Sequence, residues 1–298
     1  MRILITGAEG FVGSNLAVSL QREHQVIGLD YLVNRDISNL PENMYYINHD
    51  LSKIDISELP VVDLVIHLAA ISIERISETP SYQDINISST SKILEYVAKH
   101  KTDLIFTSSA SVYGSGVNFT EISPFNSLSD YSKTKILEED YARFCCENNN
   151  LNVTILRYSN CYGDTTYIKN KFYPSKKGII RIFVENAMKN KPLPIIKNQS
   201  RDFTYIDDVV VATQSVIGLK GFNVFNVGTG VETKIEVVVD LVEQALGKSV
   251  SVVEVPPRKI DNLSRRSLNI DKISHLWKPK YSLKEGIKLY VERMKMIK

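Results

Sequence analysis

Tyr131 and Lys135 stand four residues apart in the run Asp130-Tyr131-Ser132-Lys133-Thr134-Lys135. On a helix that spacing puts both side chains on one face. A phenol titrates at about 10 and is a poor base at neutral pH. A neighbouring ammonium stabilises its anion. Such a pair can take the proton of a hydroxyl while hydride leaves the same carbon. Tyrosine and lysine are common, however, and the same spacing also decorates solvated helix faces. A second run, Thr107-Ser108-Ser109-Ala110-Ser111-Val112-Tyr113-Gly114, lies upstream, after an apolar segment. Ser109 can hold a substrate oxygen and share its proton with Tyr131. A serine-rich turn is the plainer reading of that cluster.

The elements that would position these groups begin at the N-terminus. An apolar run over residues 3–5 leads into Gly7-Ala8-Glu9-Gly10-Phe11-Val12-Gly13. A helical pattern follows to residue 20, and a second apolar run, 26–29, ends on Asp30. Strand, glycine turn, helix, strand and acid are the layout of a dinucleotide-binding βαβ unit. Gly7 turns the chain, Gly10 admits a pyrophosphate close to backbone, and Gly13 lets the helix lie on the sheet. The unpaired N–H groups at the helix start, with Phe11 and Val12 between the glycines, suit phosphate oxygens. Asp30 would accept the adenosine ribose hydroxyls and repel a 2′-phosphate, which favours NAD over NADP. Arg35 lies close enough in sequence to weaken that preference. Lys135 would also reach the nicotinamide ribose.

Further strand-like runs fall at residues 45–48, 64–68, 104–107 and 153–157. Helical patterns at 14–22, 81–100 and 130–148 alternate with them, which predicts an α/β fold with a Rossmann-type, doubly wound parallel sheet. Ligands then bind beyond the carboxyl ends of the strands, where Ser109 falls. After residue 158 the rhythm changes. Residues 164–178 read as a long loop, 179–190 as a helix, 224–227 as a last strand of the main sheet, 233–246 as a helix and 250–255 as a short strand. Residues 256–266 form a basic, irregular stretch. The expected organisation is a cofactor domain, 1–160 plus about 201–228, interleaved with a smaller α/β substrate lobe, 161–200 and 229–298.

The 298 residues are 43% hydrophobic and 23% charged with a net charge of +2, an ordinary globular composition without an electrostatic claim on nucleic acid or membrane. Cys145, Cys146 and Cys161 show no disulfide or metal-ligand spacing, which suits a reducing, cytoplasmic setting. No apolar run approaches a membrane span.

Taken together, the runs G-A-E-G-F-V-G, Asp30, Asp50-Leu51, His67-Leu68-Ala69-Ala70, Asn86, S-S-A-S-V-Y-G, Y-S-K-T-K, L-R-Y-S-N-C-Y-G, R-D-F-T-Y-I-D-D-V, F-N-V-G-T-G and R-K-I-D resemble those of an extended short-chain dehydrogenase/reductase. The branch is that of the NAD-dependent nucleotide-sugar epimerases and dehydratases, and the resemblance spans the chain. It implies that Asp50 and Leu51 hold the adenine, and that Leu68, Ala69 and Ala70 line the pyrophosphate and nicotinamide channel. Asn86 and Tyr158 complete the cofactor set. Ser111 and Asn160 would meet the nucleotide-sugar, Arg201 and Arg258 would clamp its diphosphate, and Asp261 would meet the nucleoside ribose. Two arginine forks suit phosphate oxygens, although surface arginines in loops are the plainer reading. His67 reads as a packed strand histidine.

Dehydratases of the family resemble S-T-D-E-V-Y-G where this chain has Ala110 and Ser111, neither of which can serve as acid or base for elimination. Decarboxylases resemble a pattern with Glu at Ser111. The leading expectation is therefore 4-epimerisation through a transient 4-keto sugar. A reductase of a 4-keto-6-deoxy nucleotide sugar, using NAD(P)H, is the alternative, and a non-catalytic nucleotide sensor a third reading. Ile260 replaces the glycine of the family's R-x-G-D, and Ser72 stands where some epimerases have lysine. Lys169, Lys171, Lys176 and Lys177 can meet phosphates or simply keep their loop soluble. The resemblance also implies a homodimer through helices 81–100 and 130–148. Leu137, Tyr141 and Phe144 lie on apolar stripes there that core packing explains equally well.

Overall fold

The computed structural model describes residues 1–31, 40–41, 44–71, 81–127, 129–168, 171–173, 178–257 and 264–296. Seven strands form one parallel sheet: β1 (Arg2–Thr6), β2 (Gln25–Asp30), β3 (Tyr45–Asn48), β4 (Leu64–His67), β5 (Asp103–Ser109), β7 (Val153–Tyr158) and β14 (Phe222–Val227). Their order is β14-β7-β5-β4-β1-β2-β3. The chain steps one way from β1 through β2 to β3, then returns to the other side of β1 for β4. The crevice between those two directions is where an open α/β sheet binds ligands.

Strand composition explains why the sheet is buried on both sides. In β1, Ile3 and Ile5 enter one apolar core while Leu4 enters the other; in β4, Leu64 and Ile66 face the first and Val65 the second. Alternate residues point to opposite faces, so a strand covered twice must be apolar throughout. The covering helices are α1 (Phe11–Leu20), α2 (Tyr82–His100), α3 (Asp130–Asn149) and, later in the chain, α5 (Ile206–Ser215).

Short strand pairs continue from the carboxyl ends of the main strands. A 3₁₀ turn (Ala110–Tyr113) and β6 (Gly116–Phe119) follow β5; β8 (Asn160–Tyr162) follows β7. β9 (Thr165–Ile168) and β10 (Lys171–Tyr173) form an antiparallel pair. Then come α4 (Ile179–Met188), β11 (Leu193–Ile195), β12 (Ser200–Arg201), β13 (Phe203–Tyr205), β15 (Thr233–Lys234), α6 (Ile235–Leu246), β16 (Val252–Glu254), β17 (Arg266–Leu268) and α7 (Leu283–Met296). β13 pairs with β8, β12 with β15, β11 with β16, and β17 with β6.

Three expectations need correction. Residues 164–178 are not simply a loop, because β9 and β10 pair within them. The first helix begins at Phe11 rather than 14, since Gly10 is its N-cap and Gly13 lies inside its first turn. Residues 233–234 are a strand bonded to β12, and the helix starts at Ile235. Arg35, Ser72, Lys169, Lys176, Lys177, Arg258, Ile260 and Asp261 lie outside the described residues, as does the Lys171 side chain.

Candidate active site

The glycine turn is a cradle that side chains would fill. A Cβ on Gly7, whose φ is +71°, would stand 2.8 Å from the Ala69 nitrogen; one on Gly10 would stand 2.9 Å from the Gly7 carbonyl oxygen. A Cβ on Gly13 would come within 2.1 Å of that same oxygen. No side chain caps α1, so its first N–H groups, at Phe11, Val12 and Gly13, have no intrahelical acceptor. Positive dipole end and open donors together form a seat for a pyrophosphate. The adjacent acid is held in place: Asp30 accepts from the Glu9 amide at 2.9 Å and from the Tyr31 amide at 2.8 Å. The residues present therefore fit a dinucleotide.

Other members of the expected cofactor set are placed with their polar groups already engaged. Asp50 accepts from the Ser52 amide and hydroxyl at 3.0 and 2.7 Å and pairs with Lys53, while Leu51 is buried beside it in sequence. Leu68 and Ala69 are half-buried after β4 and Ala70 is exposed. The Asn86 carboxamide of α2 clamps both backbone groups of Ile71, at 2.7 and 3.1 Å, and so fixes the course of the chain beyond Ala70. The Tyr158 hydroxyl shares a 2.7 Å hydrogen bond with Thr213. His67 is buried between Thr6, 2.6 Å from Nδ1, and Thr90, 3.1 Å from Nε2. Burial, with the Lys135 charge adding to it, pushes the imidazole down to about 3, so it is a neutral packing group.

Tyr131 and Lys135 sit in the first turns of α3. Ser129 and Ser132 start that helix with a reciprocal cap, each hydroxyl accepting the other residue's amide at 3.2 Å. Tyr131 is half-buried and Lys135 only 3% exposed. The ammonium lies 2.9 Å from Glu138 Oε2 and 4.9 Å from the centre of the Phe106 ring on β5. Burial alone would lower it, but Glu138, the Tyr131 phenol and Glu139 outweigh that effect and hold it above the ordinary lysine value. Lys135 therefore stays charged within electrostatic reach of the phenol, which is what a tyrosine base requires.

The serine turn packs against α3. Ser109 caps the 3₁₀ turn, its hydroxyl accepting from the Ser111 amide at 3.1 Å. The hydroxyls of Ser108 and Ser111 are buried without a hydrogen-bond partner. A buried network locks turn and helix together. Arg157 on β7 donates to Glu139 from Nε and Nη2, at 3.0 and 2.6 Å, and to the Tyr113 hydroxyl at 2.7 Å. Tyr113 donates onward to Asn226 of β14 at 2.7 Å.

Asp202 ties the next elements to this edge. Its carboxylate accepts from Thr229, from the Gly230 amide at 3.0 Å and from the Leu268 amide at 3.4 Å. Arg201 beside it donates to the Ser200 carbonyl at 2.8 Å, to Gln199 at 3.1 Å and to the Ser264 carbonyl at 3.4 Å. Asn160 donates through its amide and side chain to the Asp202 carbonyl, at 3.0 and 3.3 Å. Among the described residues no cluster of ligating side chains forms a metal site, and no helix is long and apolar enough to cross a membrane.

Several buried charges escaped the sequence reading, Glu138 and Arg266 among them. As a letter Glu138 is no different from the exposed Glu147 of the same helix; only its burial, at 3% exposure, sets it apart. Arg266 ends the stretch read as irregular but opens β17, and it is 8% exposed.

The family described as NAD dependent epimerase/dehydratase matches residues 3–228. A Methanocaldococcus jannaschii protein provisionally named a UDP-glucose 4-epimerase is 35% identical, the alignment covering 98% of each chain. A UDP-glucuronic acid 4-epimerase from Bacillus cereus, solved with UDP-glucuronic acid and NAD, superposes with a TM-score of 0.88 at 28% identity over 100% of both chains. A Thermus thermophilus UDP-glucose 4-epimerase, solved with NAD, gives 0.86 at 28% identity over 99% of both. From glycine cradle to Tyr-Lys helix, the chain belongs to the NAD-dependent epimerase/dehydratase family.

Proposed function

We propose that this protein is a nucleotide-sugar 4-epimerase, acting on a UDP-hexose or a close relative. The observation that carries the reading is the placement of buried, charged Lys135 and half-buried Tyr131 on α3, packed against the Ser109 turn at the carboxyl edge of the sheet. Gly7, Gly10, Phe11, Val12, Gly13 and Asp30 would hold NAD, which supplies reversible hydride removal at the sugar carbon. Tyr131, as its anion, takes the O4 proton and later returns it. Lys135 stabilises that anion, and Ser109 holds the oxygen as it passes between alcohol and ketone. Arg201, Asn160 and Ser111 would bind the nucleotide-sugar. The 4-keto sugar turns over in the pocket and is reduced on its opposite face. Ala110 and Ser111 offer no acid–base pair for loss of water, which favours epimerisation over dehydration. The relatives named above, 4-epimerases of UDP-glucose and UDP-glucuronic acid, support both the position and the nucleotide.

The test is proton NMR of UDP-, dTDP- and GDP-sugars incubated with the protein and NAD in heavy water. C4 inversion without deuterium in the ring is expected. Deuterium at C3 or C5 would reveal enolisation and overturn the mechanism. Turnover confined to 4-keto sugars with reduced cofactor would make the protein a reductase.

The assembly proposed is a homodimer through α2 and α3. Leu137, Tyr141 and Phe144 are 58%, 40% and 60% exposed, so core packing does not account for their spacing.

A further inference from the structure

Arg265, just before β17, and Arg266, its first residue, have opposite fates. Arg265 is exposed and paired: its Nε and Nη2 donate to the two oxygens of Glu232 at 2.7 and 2.6 Å. Arg266 is turned inward, at 8% exposure. Its side chain is buried, and Nε and Nη1 have no hydrogen-bond partner. A buried guanidinium without acceptors is costly, and an unsatisfied buried group in a native structure calls for an explanation, of which a functional partner is one. Arg157 is the contrast within this fold, since it is just as buried yet saturated by Glu139, Tyr113 and the Glu121 carbonyl.

Arg266 is placed among the elements of the proposed active site. β17 pairs with β6, with Arg266 opposite Gly116, and β6 follows the serine turn. Ser111 of that turn also has a buried hydroxyl without a partner. On the other side, Asp202 accepts from Leu268, two residues beyond Arg266, and Arg201 donates to Ser264, two residues before it. The charges of Arg201 and of the Tyr131 phenol both act on the Arg266 guanidinium; burial first, and Arg201 next, lower it to about 9 while Tyr131 opposes them. Arg266 therefore stands within electrostatic reach of the expected diphosphate clamp and of the base. The substrate's sugar must span those two points.

We propose that Arg266 is the seat of a carboxylate on the substrate's sugar, so that the pocket selects a nucleotide hexuronate over a neutral nucleotide hexose. The proposal rests on the nucleotide-sugar reading given above. A uronate brings the acceptor oxygens that the fold withholds from Arg266, and a charge-assisted pair removed from water is strong and selective. A site built for an anion discriminates against a neutral analogue because its guanidinium is then left buried and unpaired.

Calorimetric titration of the NAD-loaded protein with UDP, UDP-glucose and UDP-glucuronate tests this, alongside Arg266→Met and Arg266→Lys. The wild type is expected to bind UDP-glucuronate at least tenfold tighter than UDP-glucose. Arg266→Met should erase that preference, with a loss at least tenfold greater for the uronate than for the neutral sugar, and Arg266→Lys should restore part of it. Arg266→Met should also melt no lower than wild type, because it removes an unpaired buried charge; a structural arginine would behave oppositely. Equal wild-type affinity for both sugars overturns the proposal. So does an equal loss for UDP, UDP-glucose and UDP-glucuronate in Arg266→Met, which would assign Arg266 to the diphosphate. The two readings fail separately. C4 inversion of UDP-glucose with no effect of Arg266→Met overturns only the uronate seat, whereas selective uronate binding without C4 inversion overturns only the 4-epimerase reading. Binding of neither sugar overturns both.

Discussion

At the scale of single residues, the account turns on one phenol and one ammonium. Tyr131→Phe removes the proton acceptor and little else. Turnover should fall by roughly a hundred- to ten-thousand-fold, the range for a positioned acid–base group, while NAD released on denaturation stays at wild-type stoichiometry. Wild-type turnover in that variant would exclude Tyr131 as the base. Lys135→Met should act differently. Without the buried ammonium the phenolate is harder to form, so the acid limb of the kcat/KM profile moves to higher pH, and an unshifted limb would contradict the role given to Lys135. Tyr131, Lys135 and Ser109 stand out in the sequence as candidates because the chemistry proposed for them is carried by residue type and spacing. Arg266 and Glu138 do not. Whether a charged side chain finds a partner or solvent is decided by tertiary packing, and Arg265 and Arg266 are indistinguishable as letters.

At the scale of elements, the first turn of α1 must lie against the Gly7 carbonyl. Gly13→Ala places a methyl 2.1 Å from that oxygen, and backbone cannot yield as a flexible side chain can. The substitution should cost about 1–3 kcal/mol in urea unfolding and weaken NAD binding as the helix N-terminus is pushed away. Unchanged stability and affinity would mean that the helix is free to move. The parallel strands were easy to read, since burial on both faces leaves continuous apolar runs such as Ile3-Leu4-Ile5. Residues 164–178 were opaque because β9 and β10 carry no alternating apolar pattern. α7 was readable in principle: Ser282 and Glu285 form a reciprocal cap in which the Ser282 amide donates to Glu285 at 2.9 Å and the Glu285 amide to Ser282 at 3.3 Å. The sequence reading assigned nothing to that S-x-x-E signal.

At the scale of the whole molecule, the exposed apolar residues of α3 and the buried histidine of β4 each make a prediction. Leu137, Tyr141 and Phe144 recur at i, i+4 and i+7, so the protein should sediment as a dimer. Leu137→Glu combined with Phe144→Glu should yield a folded monomer, and a wild-type monomer would refute the proposed interface. His67 contributes to acid sensitivity. Its folded-state value, about 3, lies below the ordinary 6.5, so its contribution is complete above pH 6.5 and is lost as the pH falls toward 3. Between pH 6.5 and 5, before carboxylates dominate, wild type should lose up to about 1.4 kcal/mol per pH unit more than His67→Gln. Parallel stability curves would show that His67 is protonated in the folded state. The most direct measurement on the central claim uses a nucleotide sugar deuterated at C4, either UDP-glucose or UDP-glucuronate, with product analysed by NMR and mass spectrometry. Internal return of the same hydride predicts an inverted C4 that keeps all of its deuterium, with none in water or in free cofactor. Loss of the label to solvent, or its net accumulation in released reduced cofactor, would contradict the epimerase account.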